Sequence, residues 1–527
     1  MFLTIFWVSH AQFYIMFIRQ KRNNSNSISI QIIDKSSGKY KVLKTIGSSK
    51  DNKVIEQLIK QAQLEIDNIQ GQQRINFNSE KEKDLLDIFF HSIEGIKLLG
   101  PELLLGKLFD QIGFNSLKDE MFRYLVITRL AYPVSKLKTV DYLYKHKGIS
   151  INISKVYRYL DELHQHKMNQ VQEISYQYAE RILSSGVSIV FYDVTTLYFE
   201  IEDEDDLRKM GFSKDGKHKQ PQIVLGLLVN ATGFPLEYKI FEGNKYEGHT
   251  MLPVIETFKE KYKLQKLVIV ADAGMMSNQN IKELIEKKYE FIIGARIKNE
   301  SEVLKSQLLS LKLKDGESDI LQNQEGQKMI VSYSAQRAKK DNYNRKRGLE
   351  KLEKSLLSGK LTKKHINNKG YNKYLKLCGE TTVTIDYDKF KDDAKWDGLK
   401  GYLTNTDLSK EEIIEQYKQL WHIEKTFRIS KTDLRIRPIF HYVKRRIESH
   451  ICISFAACVI YKELERQLKS KKSKLSPEKA IDILKTIYAI TITTPYSHSS
   501  QTRLLIKNDE QVRLLKLFEI DSGCPND

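Results

Sequence analysis

The chain has 527 residues, and 86 Lys and Arg against 67 Asp and Glu leave a formal charge of +19. At about 100–200 residues per domain this length implies several domains, and a 41% hydrophobic share is enough to bury real cores, which excludes a disordered tail protein. The 29% charged share excludes a multi-span membrane protein; four cysteines, none in a CxxC pair, exclude a disulfide framework and a paired-cysteine zinc site and point to a reducing compartment. A basic balance of this size suits a polyanion, nucleic acid first. The competing explanation is a lysine excess set by an AT-rich genome.

Met1–Ile18 (MFLTIFWVSHAQFYIMFI) opens apolar, yet it has no basic leader, no small-residue cleavage site, and is short for a membrane span. We read Met16 as the translation start and 1–15 as a non-native extension, with a cryptic signal peptide as the alternative. Ser27–Ile33 and Tyr40–Thr45 alternate around a turn at Asp34–Gly38 and predict a β-hairpin; a helix follows to about Ile69, so 16–75 form one unit. Residues 76–185 read as a mainly helical DNA-binding region. Within it Leu137–His146, a turn at Gly148 and a helix capped by Ser154 resemble a helix-turn-helix, with a plain helical pair as the equal alternative.

From residue 187 the pattern changes. Val187–Tyr192 is a continuous apolar run, as expected of a buried central strand, and it ends on Asp193. Strands over Gln222–Val229 and Phe234–Phe241 follow, then a helix over Thr250–Tyr262 and a strand over Leu267–Ala271 that ends on Asp272. A capped helix over Ser277–Lys288 and a strand over Tyr289–Gly294 complete the series. The order β-β-β-α-β-α-β is the layout of an RNase H-like core. The predicted fold class is therefore α/β, with that core split into 186–299 and 397–445 by an α+β insertion over 300–396. In the insertion, Arg337–Lys364 holds eleven Lys or Arg against three Asp or Glu, denser than solubility needs. Leu399–Asn405 resumes as a strand, Ser409 caps one long helix to about Lys431, and 446–527 read as a helical C-terminal region.

Two buried strands that each end in an aspartate place Asp193 and Asp272 at one sheet edge. Phosphodiester chemistry uses fixed carboxylates to hold two divalent ions about 3.5–4 Å apart, so a third acid is needed, and the long helix carries Glu424. At 100° per residue, with Tyr417 at 0°, Glu424 falls at about 340°, Arg428 at about 20° and Lys431 at about 320°. A carboxylate flanked by cations can bind metal while its neighbours hold DNA phosphates. The plain alternative is a surface helix with a Glu424–Arg428 ion pair. Trp421 borders the stripe, His422 faces away, and Asp397 reads as structural rather than as a ligand.

Tyr417, Leu420, Glu424 and Lys431 stand at the spacing of a known signature: Tyr, two residues, Arg, three residues, Glu, six residues, Lys. In this the chain resembles the DDE transposases of bacterial insertion sequences, the IS-four-like group; only the arginine position departs, being Leu420. FYDVTTLYFE around Asp193 and IVADAGMMS around Asp272 resemble the first and second aspartate motifs, and the likeness runs from Met16 onward. It implies a DNA transposase, cutting at transposon ends and transferring strands into target DNA. Asp193, Asp272 and Glu424 would be catalytic residues and metal ligands, with two Mg2+ ions, or Mn2+, as cofactor. Tyr417, Arg428 and Lys431 would contact DNA phosphates, Arg428 replacing the missing arginine. Arg337, Lys339, Lys340, Arg345, Lys346 and Arg347 would contact the DNA backbone. The partners implied are double-stranded DNA (terminal inverted repeats and target) and a second copy in a homodimer, with no membrane; the implied place is the cytoplasm, at the nucleoid. The alternatives are an RNase H-fold nuclease without strand transfer and a catalytically inactive DNA-binding relative.

Overall fold

The computed structural model describes residues 16–521 apart from residues 37, 70–79, 184–185, 214–215, 217–218, 276, 324, 368–369, 379–381 and 495–498. The expected extension over 1–15 lies outside the described residues. The chain divides into two compact units, 1–93 with 493–499 and 94–492 with 500–527.

In the first unit β1 (Met16–Arg22), β2 (Ile28–Asp34) and β3 (Lys41–Ser49) form an antiparallel meander. The expected hairpin is its second half. α1 (Asn52–Ile69) packs Ile55, Ala62 and Ile66 on Ile30 and Ile32, because alternation puts both isoleucines on one face of β2. α2 (Glu80–His91) follows.

The second unit begins with β4 (Ile93–Leu98) and helices α3 (Lys107–Ile112), α4 (Glu120–Ala131), α5 (Lys136–Lys147), α6 (Ile153–His166) and α7 (Met168–Ile182). Gly148, at φ +67°, closes α5 in the left-handed region that glycine tolerates best. The cap of α6 is Asn152, whose Oδ1 accepts from the Ser154 amide at 2.8 Å, rather than Ser154 itself. Asn152 holds the extended backbone a cap requires, one residue ahead of the helix.

The central sheet then forms. Its strands and helices in chain order are β5 (Ile189–Tyr198), β6 (Gln222–Val229), β7 (Pro235–Glu242), α8 (Met251–Lys261), β8 (Val268–Ala271), α9 (Asn278–Glu286), β9 (Glu290–Ala295), α10 (Glu302–Ser310), β10 (Ser318–Gln322) and β11 (Lys328–Tyr333). Next come α11 (Ala335–Leu357), a small hairpin β12 (Leu375–Cys378) and β13 (Thr382–Ile385), α12 (Tyr387–Asp393) and β14 (Leu399–Thr404). The strand order is β10-β11-β14-β9-β8-β5-β6-β7. β5, β8 and β9 run parallel, while β6 and β7 are antiparallel to their neighbours. The stretch β7-β6-β5-β8-β9 is the arrangement of an RNase H-like core. β10 and β11, from the stretch expected as an insertion, extend this same sheet through β14. Every residue of β6 is buried, which explains its unbroken apolar run.

The chain ends with α13 (Lys410–Lys418), α14 (Trp421–Thr432), α15 (Lys444–Ser470), α16 (Pro477–Leu484), β15 (Tyr488–Thr493), β16 (Ser500–Leu505) and α17 (Asp509–Leu517). α15 is the hub: nineteen of its residues are buried, and it packs against α4, α6, α7, α14 and β7. The expected helix-turn-helix lays Val156, Tyr159, Leu160 and Leu163 of α6 toward α15, and the Tyr159 hydroxyl donates to Asp119 at 2.7 Å. β15 and β16 sit beside β4 in a three-stranded sheet, so part of the region read as helical is strand. Among the described residues no helix is long and apolar enough to cross a membrane.

Candidate active site

The site is built on one row across the sheet. Tyr192 pairs with Ala271 and Ala271 with Ile293 in parallel register, which brings Asp193, Asp272 and Gly294 side by side; Gly294 pairs in turn with Tyr402. Tyr192 turns to the opposite face, where its hydroxyl donates to Thr250 at 2.9 Å. Alternation therefore sends Asp193 to the other face, and its Oδ1 accepts from the Val194 amide at 2.7 Å. Asp272 stands one residue past β8 and is exposed.

Two helices cover this row. Ser409 and Glu412 form a reciprocal capping box that starts α13, as read from the sequence. The expected single helix is broken at Gln419–Leu420, where amides reach back three residues instead of four: Gln419 to Gln416, Leu420 to Tyr417, His422 to Gln419 and Ile423 to Leu420. Such a turn advances more than 100° per residue, so Tyr417 leaves the exposed stripe that Glu424 and Arg428 occupy. Tyr417 is only 4% exposed and lies against the sheet; its hydroxyl donates to Asp272 Oδ1 at 3.0 Å. Expected at a DNA phosphate, it is instead committed to Asp272. Burial, with the Asp272 charge added, raises its phenol pKa and keeps that proton in place. Gly294 makes room, since a Cβ there would meet the Tyr417 hydroxyl at 2.5 Å.

Leu420, at the signature's arginine position, packs into the core at the break. The α14 helix rests on β5 on one side and on α15 on the other. Thr426 Oγ1 donates to the Gly233 carbonyl at 2.8 Å, and Asn230 Oδ1 pins that turn by accepting from the Thr232 amide and hydroxyl and the Phe234 amide. Lys425 and Lys462 both bind Glu465; burial opposes the charge there, but these hydrogen bonds hold the carboxyl at about 2. Trp421, Glu424 and Arg428 are exposed on one ridge, and Lys431 is half-buried beyond them. His422 stacks on Trp421, ring centroids 3.8 Å apart. Burial, then Lys462, Lys469 and Lys425, push it down to about 4, so the ring is neutral and turned inward.

Two residues of this site escaped the sequence reading. Lys400 of β14 lies over the Tyr417 ring at 4.3 Å. Burial and Arg337 lower its pKa, while Asp272 and Glu424 act in the opposite sense. One half-buried ammonium thus feels both the second aspartate and the helix glutamate. A lysine inside an otherwise apolar strand was the available signal. Arg296 is a second such residue: its Nη2 donates to the Ala273 carbonyl at 2.8 Å and holds the loop after Asp272.

The basic stretch separates by helix phase. Arg337, Lys339, Lys340, Lys346 and Arg347 are exposed on α11, with Arg337 3.5 Å from Asp341. Arg345, expected among the backbone contacts, is buried. It binds Asp397 and Asn342 and sits over the Phe390 ring at 5.3 Å. It belongs to the buried stripe Arg345–Gly348–Leu352, and Asp397 is its structural partner.

Among the described residues no group of three or more His, Cys, Asp or Glu side chains is gathered closely enough to hold a metal ion. The donor chemistry nonetheless fits a hard divalent cation: two carboxylates on neighbouring strands, Asp272 exposed, and an exposed glutamate on the covering helix.

The family model described as "Transposase DDE domain" matches residues 185–460. No curated protein matches the chain. Among solved structures, a cryo-EM structure of the piggyBac transposase synaptic complex with hairpin DNA shares 10% identity, covering 74% of this chain and 79% of that one, at a TM-score of 0.37. The Mos1 transposase paired-end complex with left transposon end shares 11% identity over 30% of this chain and 53% of that one, at a TM-score of 0.15. Both likenesses are loose, and the matched domain, which spans the sheet, α13, α14 and most of α15, carries the assignment. The chain belongs to the transposases with a DDE domain, enzymes that hydrolyse DNA phosphodiester bonds and rejoin strands by transesterification.

Proposed function

We propose that Asp193, Asp272 and Glu424 are the catalytic acids and that the chain is a DNA transposase of the IS-four-like branch. It would act on terminal inverted repeats and target DNA in the bacterial cytoplasm, as a homodimer with one transposon end per subunit. The observation that carries this reading is the row Asp193–Asp272–Gly294, with Lys400 sensing Asp272 and Glu424 together. The three acids would hold a pair of divalent ions, Mg2+ or Mn2+, which when bound activate the attacking oxygen and stabilise the leaving one.

The chain's own groups set the rest. Tyr417 donates to Asp272 and fixes that carboxylate's direction. In the first step a water oxygen attacks phosphorus and the 3′-oxygen leaves as a hydroxyl. In the second, that hydroxyl attacks a new phosphodiester and the 3′-oxygen of the attacked bond departs. Lys400 and Arg337 supply positive charge beside the acids, where the signature arginine is absent. Arg428 and Lys431 follow Glu424 along α14 toward DNA phosphates. Lys339, Lys340, Lys346 and Arg347 of α11 offer backbone contacts. The chain would be organised as residues 16–75, 76–185, a core over 186–299 and 397–445 interrupted by a basic insertion over 300–396, and 446–527.

The test uses DNA bearing the sequences that flank the gene. Wild type plus Mg2+ should nick it and join pre-cleaved 3′ ends to a second duplex, while Asp193→Asn should do neither. Nicking without joining would favour a nuclease. Binding without either reaction, in wild type, would favour an inactive relative.

A further inference from the structure

Away from the acids lies a cavity of about 430 Å3 between the end of α4, the start of α5 and the segment that follows α14. Its volume falls within the roughly 300–1,000 Å3 typical of ligand pockets. Arg129, Lys136, Arg435, Arg437, His441 and His450 line it, and among the described residues no Asp or Glu does. Two cations among them are buried, Arg129 at 5% and Lys136 at 4% exposed, and the two histidines are buried and held below their ordinary pKa. Arg129 makes one long hydrogen bond, from Nη1 to the Arg435 carbonyl at 3.4 Å. Arg437 lies over the Tyr198 ring at 5.1 Å. His450 Nε2 donates to the Ile436 carbonyl at 2.9 Å, so that ring is fixed.

Buried cations are normally paired with carboxylates or relieved by a bound anion. Among the described residues that line the cavity no carboxylate stands beside these groups, and burial opposes the charged form of Arg129, Lys136, His441 and His450 alike. The Ser135-capped start of α5 faces the same space and adds amides favourable to an anion. An anion with several acceptor oxygens would satisfy the guanidinium groups and the ammonium together.

We propose that this cavity is a phosphate-binding site, built from Arg129, Lys136 and Arg435, which takes either a phosphate of a DNA strand or a free phosphate. The site lies outside the acid row and needs no catalysis to be detected. The direct experiment is thermal melting of the full chain in inorganic phosphate and in chloride at equal ionic strength. Wild type should gain at least about 2 °C more in phosphate. Lys136→Met should melt higher than wild type in chloride, because a buried amine whose charged form burial and Arg129 oppose is gone, and should lose the extra gain. Arg435→Ala alters an exposed side chain, keeps the fold, and should weaken phosphate about tenfold. A general salting effect raises all three proteins alike; an equal response in all three overturns the site. Binding of a random-sequence duplex then identifies the source. If the phosphate belongs to DNA, both variants lose affinity severalfold and the salt slope falls by about one. If duplex binding is unchanged while the phosphate gain is lost, the ligand is free phosphate.

Discussion

Gly294 shows how one residue shapes the acid row. Its missing side chain lets the Tyr417 hydroxyl reach Asp272. Gly294→Ala should overpack this point, costing about 1–3 kcal/mol, and should depress DNA cleavage beyond what lost stability explains; melting and cleavage measured on one preparation check both. Lys400 is the second test at this scale. Lys400→Met should lower cleavage about tenfold or more, as expected for loss of a charge beside a developing phosphate charge, with Lys400→Arg restoring part of it. Cleavage unchanged in Lys400→Met would remove the lysine from the site. Neither residue was legible in spacing. A glycine needed for clearance and a lysine reached by side chains from four other segments are both set by tertiary packing.

Among the elements, α11 reads as a uniform basic run in sequence, and only helical phase splits it. Arg345 shares the buried stripe with Gly348 and Leu352, whereas Lys346 and Arg347 are exposed. Asp397→Ala should therefore cost about 3–5 kcal/mol by stranding a buried guanidinium. Lys346→Ala and Arg347→Ala should leave the melting temperature unchanged and reduce the salt slope of DNA binding by about one each. The reverse pattern would place the DNA contact at Arg345. The break between α13 and α14 was equally invisible, because Gln419 and Leu420 are both good helix formers. By contrast the core strands were readable: β6 and β8 are buried throughout and β5 largely so, and a strand with no solvent face has to be an unbroken apolar run. β15 and β16 were missed because the short alternating run YAITIT lies between helices with a stronger signal.

At the scale of the whole molecule, the second unit hides histidines whose charged form burial opposes. Burial, with nearby cations, holds His441 down to about 4 and His450 well below its ordinary value. Unfolded histidine takes up protons below about pH 6.5, so the unfolded state binds more protons as pH falls from there toward 4. Stability should then decline over that window and be fully present above it. Melting at pH 7.5 and 5.5 in phosphate-free buffer should show the drop, and His441→Gln should make it smaller. A melting temperature flat between those two values would contradict the buried, neutral assignment.

The convergence of Asp193, Asp272 and Glu424 is tested most directly by Mn2+ titration of the full chain without DNA. Asp193→Asn, Asp272→Asn and Glu424→Gln should each weaken binding at least about tenfold, while Glu415→Gln, exposed on α13, should bind as wild type does. Undiminished Mn2+ affinity in Glu424→Gln would show that α14 does not deliver the third acid to the pair on the sheet.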